Sequence, residues 1–172
     1  MSESMFAVKS YGAQEFLSAE NGVRADEAVA EVFSMMLGYE ILPVDEAAAN
    51  GCEANERTAI VGFSGSMRGT CEIRMTTLAA CSVASAMLGG TPVAEGDDSI
   101  DDAIGELCNM LAGGWKNRIH TLSSDCALSP PTVISGGDYK VHVRQPSMKL
   151  ARVYRFDVHT LHLTLHRQDL AT

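Results

Sequence analysis

Asp26–Gly38 reads DEAVAEVFSMMLG, and Asp101–Gly113 reads DDAIGELCNMLAG. At a constant offset of 75 residues, without a gap, Asp26 meets Asp101, Ala28 meets Ala103 and Val29 meets Ile104. Glu31 then meets Glu106, Met35 meets Met110 and Gly38 meets Gly113. Any two amphipathic helices share apolar spacing, but here polar positions match as well. Both segments run on into strand-like sequence. A duplicated unit of helix plus strands follows, with halves at about residues 23–95 and 96–172 that share one core rather than stacking as a solenoid.

Around these helices the chain divides readily. Helical spacing predicts a helix over Arg24–Gly38, with Asp26 and Glu27 in the first turn, where the helix dipole favours them, and Gly38 as its stop. Met1–Asn21 has no clear period and is set apart as a tail or short helix, an extra segment of residues 1–22. Ile41–Val44 is apolar but holds Pro43, which places it at a sheet edge. A polar loop over Asp45–Glu56 precedes a hairpin, Thr58–Phe63 and Gly69–Met75, joined by Ser64–Arg68. Thr76–Leu88 is small and apolar, a buried helix ended by Gly89-Gly90. Ser99–Leu122 is the longest helical candidate, with Ser99 as its cap. Pro130-Pro131 opens a strand-rich tail: Thr132–Ser135, Tyr139–Arg144, and Ala151–Arg167 as two strands turning near His159-Thr160. Strands in consecutive runs predict an α/β layer protein of the α+β kind, a single domain over residues 1–172 with antiparallel sheet.

Composition narrows the function classes. Of 172 residues, 46% are hydrophobic and 20% charged, the balance of a globular chain. Apolar runs break well before about 18 residues, so no membrane span is expected, and the N-terminus lacks a secretory pattern. A cytoplasmic protein follows. Five cysteines, none at CxxC spacing, read as reduced thiols rather than a disulfide frame or zinc site. A net charge of −9 argues against nucleic acid.

On a helical wheel advancing about 100° per residue, Ile104, Leu107, Leu111 and Trp115 gather on the core side. Asp102, Glu106, Asn109, Gly113 and Asn117 gather opposite, with Glu106 and Asn109 neighbours at i, i+3. Gly113-Gly114 inside a helix costs about 1 kcal/mol per glycine relative to alanine. Close approach of another surface, or close internal packing, would justify that cost. Ser34 stands where the other copy has Asn109.

The string from Asp102 through Glu106 and Asn109 to Gly113 resembles the phosphatase signature of CheX and CheC proteins, D/S-x-x-x-E-x-x-N, with a proline roughly twenty residues on, near Pro130 and Pro131. The resemblance extends more weakly over most of the chain after Val23 and implies a CheC-like fold. It implies a phosphatase acting on the aspartyl phosphate of a CheY-like response regulator, whose own bound Mg²⁺ and Lys supply much of the electrostatics. This chain would need no cofactor or metal of its own. Asn109 would hold the attacking water, as a glutamine does in GTPases, and Glu106 would pair with the receiver's Lys. Asp102 would support them. With Ser34 the first copy lacks an amide, so one site per chain is nearer the CheX pattern, which also implies a homodimer.

Other constellations carry less. His162 and His166 share a strand face but lack a third ligand on it, and read as polar strand positions. Gly62–Gly69 lacks the lysine of a phosphate-binding loop, and Ser64 and Ser66 lie in no nucleophile elbow. The rival reading keeps the fold but not the activity: a silent module that binds a receiver domain or flagellar component.

Overall fold

The computed structural model describes residues 11–45, 56–137, 139 and 148–168. The helices are α1 (Ala13–Phe16), α2 (Ala19–Val32, widening into a π-turn at Phe33–Leu37), α3 (Thr77–Met87), α4 (Ser99–Asn117) and α5 (His120–Ser123). The strands are β1 (Ile41–Val44), β2 (Glu56–Gly65), β3 (Arg68–Thr76), β4 (Cys126–Leu128), β5 (Thr132–Gly136), β6 (Met148–Phe156) and β7 (His159–Gln168). Every described pairing is antiparallel.

The strand order repeats what the helix sequences suggest. Along the sheet it runs β1-β6-β7-β3-β2-β4, with β5 also on β2. With β4 set aside, exchanging β1 with β5, β6 with β2 and β7 with β3 gives the path β1-β6-β7-β3-β2-β5 again, read from its other end. Each half thus lends a strand to the other half's hairpin, and β3 pairs with β7 at the centre. Pro43 lies on edge strand β1, the place in a sheet where a residue without an N–H is tolerated.

Alternation decides which face is buried. Cys71, Ile73 and Met75 of β3 and Leu161, Leu163 and Leu165 of β7 point to the helices, while Thr70, Glu72, Arg74, His162, Thr164 and His166 take the other face. Upon the apolar face α4 packs on β2 and β3, flanked by α2 and α3. Burying one such leucine contributes about 1.5–3 kcal/mol.

Several boundaries differ from expectation. The helix expected from Arg24 is α2 and begins at Ala19, because the Ser18 hydroxyl caps Asn21 N. Of the tail or short helix expected before residue 22, the short helix is what residues 11–22 show: α1 precedes α2, and Tyr11, Phe16 and Asn21 are fully buried against Trp115. The last hairpin turns at Asp157-Val158, since Asp157 takes the left-handed conformation (φ 49°) that aspartate tolerates. The strand expected over residues 139–144 lies outside the described residues apart from Tyr139.

Candidate functional site

Helix α4 carries the candidate residues Asp102, Glu106 and Asn109, and its N-terminal end is tied down. At the N-terminus Ser99 is the first helical residue rather than the cap, and Asp98 holds the cap position without a side-chain bond. Asp97 Oδ1 accepts from Ser99 N at 2.9 Å, which holds that exposed carboxyl below its ordinary range. Asp101 then meets Arg57 Nε of β2 at 3.4 Å and accepts from Ser135 Oγ of β5 at 3.1 Å. Ile104, Leu107, Leu111 and Trp115 are buried, which fixes the helix's rotation.

That rotation turns Asp102 and Glu106 fully outward and leaves Asn109 and Gly113 half-buried beside them. Among the described residues, no hydrogen bond or ion pair engages the Glu106 carboxylate or the Asn109 amide. A carboxylate and an amide, neighbours on one stripe, are thus available to another molecule. A Cβ on Gly105, the residue before Glu106, would come within 3.2 Å of Pro131 Cγ and 3.4 Å of Val133 Cγ2, so glycine lets the lead-in to β5 pack close against α4 there. Gly113 and Gly114 are different: a Cβ there would meet its nearest neighbours at 3.8 and 3.5 Å, ordinary contact. Internal packing therefore favours glycine at 105, a position sequence reading passed over, and makes no such demand at 113.

The first copy is arranged otherwise. Glu31 pairs with Arg118, and Ser34 is exposed with its hydroxyl turned back to the Glu31 carbonyl. Arg118 has no sequence signal beyond its charge.

Elsewhere the polar residues have local tasks. His159 Nε2 lies 2.9 Å from Ser82 Oγ on the helix face, away from His162 and His166. No group of three His, Cys, Asp or Glu among the described residues could hold a metal. Cys71 and Cys108 are fully buried, and the thiol contact between them, with burial, pushes Cys71 well up, making it a poor nucleophile. No described helix is long and apolar enough to cross a membrane.

Residues 57–153, more than half of the chain and all of α4 included, match the family model of the chemotaxis phosphatase CheX. The chain belongs to the CheX family. It is 33% identical over 107 residues to the CheY-P phosphatase CheX of Thermotoga maritima, an overlap covering 62% of this chain and 69% of that protein. The crystal structure of a chemotaxis protein CheX from Desulfovibrio desulfuricans superposes with TM-score 0.70 at 23% identity, over 87% of this chain and 99% of the other. A CheX–CheY–BeF₃–Mg²⁺ complex from Borrelia burgdorferi gives 0.66 at 20% identity, over 87% and 98%. At such identities the solved structures speak for the CheC-like fold alone, while family membership makes this CheX-type chain a phosphatase.

Proposed function

We propose that the chain hydrolyses the aspartyl phosphate of a CheY-like response regulator in the cytoplasm, using Asn109 to orient the water. The observation that carries this is the pairing of Glu106 and Asn109 on one exposed stripe with no internal partner among the described residues. In the docked pair Asn109 donates through its amide N–H to the water and accepts a hydrogen bond from one of its O–H groups through Oδ1, leaving a lone pair aimed at phosphorus. The water oxygen forms the new P–O bond as the acyl-phosphate P–O bond breaks. The receiver's aspartate leaves as a carboxylate, and the water's proton passes to phosphate and solvent. So good a leaving group needs no general acid here. Mg²⁺ and a lysine belong to the receiver, and Glu106 pairs with that lysine. Asp102, one turn earlier, adds negative charge toward the same cation.

The direct test follows the decay of a phosphorylated receiver with and without this protein. Acceleration supports the phosphatase reading, whereas binding without acceleration favours a silent module. Glu106→Ala is expected to weaken docking as well as rate, raising KM at least fivefold; a fall in kcat alone would remove the lysine pairing.

We also propose a homodimer joined through sheet edges. The C-terminal strands contribute less edge than their length suggests, because β7 is paired on both sides. Among the described residues, β1 and the Met148–Arg152 stretch of β6 have a free side. Sedimentation should give twice the chain mass of 18.4 kDa, and a monomer at micromolar concentration would refute pairing.

A further inference from the structure

Arg118 follows directly after α4, and its guanidinium lies across the contact between α2 and α4. Nη2 pairs with Glu31 Oε2, Nε lies 3.7 Å from Glu27 Oε2, and Nη1 donates to the Gly114 carbonyl at 2.9 Å. Glu27 and Glu31 are the counterparts, at the same offset of 75 residues, of Asp102 and Glu106. Burial runs in step around the two carboxylate pairs. Glu27 and Asp102 are exposed, Ala28 and Ala103 buried, Val29 and Ile104 buried, Glu31 and Glu106 exposed. The copies differ at Ala30, exposed where Gly105 is buried, at Val32, less buried than Leu107, and in the π-turn, where Met36 is exposed and its counterpart Leu111 is buried. The carboxylate pair of the first copy therefore keeps its outward pose. What differs is that a cation of the same chain already holds it.

We propose that Glu27 and Glu31 form a second cation-binding half-site, able to take the same receiver lysine as Glu106, and that Arg118 occupies it from within. This rests on the reading of Glu106 given above. A single exposed ion pair would be a weak plug. Arg118 is a stronger one: its side chain is only 24% exposed, and its planar fork engages two carboxylates and a carbonyl together. Being part of the chain, it also competes at high effective concentration against any lysine arriving from solution. Its removal should reopen docking but not turnover, because Ser34 has no amide to hold a water.

The test uses a beryllofluoride-activated, Mg²⁺-loaded receiver domain titrated against the full chain. Glu106→Ala should weaken its binding at least tenfold. Adding Arg118→Gln to that variant should restore at least tenfold of the affinity, with no acceleration of phosphoryl loss. A third change, Glu31→Gln, should abolish the recovered binding. Binding by Glu106→Ala/Arg118→Gln no tighter than by Glu106→Ala alone overturns the proposal. Failure of the Arg118→Gln chain to fold counts against it equally, since Arg118 would then be a structural tie rather than an occupant. Should the wild type neither bind the receiver nor speed its dephosphorylation, the reading of Glu106 falls and takes this inference with it. Wild-type activity without recovery in the double variant sinks the occupancy alone.

Discussion

Asn109→Ala is expected to cut stimulated receiver dephosphorylation about 100-fold while leaving binding of the phosphorylated receiver nearly unchanged. The size follows from what the side chain is asked to do: misplacing a reacting group by about 1 Å costs that much, and alanine has no group to place the water at all. Binding should survive if, as proposed, Glu106 and not the amide carries the charge contact with the partner. Stability should move little, by about 0.5 kcal/mol, since Asn109 is half-exposed and has no hydrogen-bond partner among the described residues. Single-turnover decay of a phosphorylated receiver, paired with a titration, separates the two quantities. Ser34→Ala, the same truncation in the other copy, should alter neither. If Asn109→Ala keeps the wild-type rate, the water-positioning role is wrong and the protein acts at the receiver by binding.

How far such a site could be foreseen depended on the kind of signal each residue carries. The rotation of α4 was legible, because Ile104, Leu107, Leu111 and Trp115 recur at the helical period and all are buried. Pro43 marked an edge strand for a reason local to proline. The duplication, visible in helix residues alone, reappears as a strand order that exchanges halves. Long-range contacts were another matter. Nothing local says that Arg118 reaches back to Glu31, or that Gly105 lies under Pro131, since both depend on how helices cross and where a loop returns. The start of α2 was misplaced for a related reason. Its cap Ser18 stands in a stretch without periodicity, because Tyr11, Phe16 and Asn21 are buried around the end of another helix rather than along a face of their own.

Trp115→Ala should produce the largest loss of stability, about 3–5 kcal/mol, the range for removing a buried aromatic side chain. The indole is 1% exposed and sits edge-on to Tyr11, Phe16 and Phe63, with ring centroids 6.2, 6.4 and 5.3 Å away. It also donates from Nε1 to Asn21 Oδ1 at 2.8 Å, and the Asn21 amide in turn donates to the Phe16 carbonyl at 2.7 Å. Alanine therefore opens a cavity and orphans a buried acceptor together. For a chain of this size the melting temperature should fall by about 10 °C or more. Trp115→Phe separates the two contributions. It keeps most of the ring contacts but leaves Asn21 Oδ1 unsatisfied, for a smaller loss of about 1–3 kcal/mol. Both variants should retain the stimulated rate well below their transitions, because Trp115 is on the buried side of α4, opposite Glu106 and Asn109. A Trp115→Ala protein that melts within 2 °C of the wild type would show that residues 11–22 are not held through this residue. A variant with normal stability but a lost rate would instead put Trp115 within reach of the reacting phosphate, which its burial forbids.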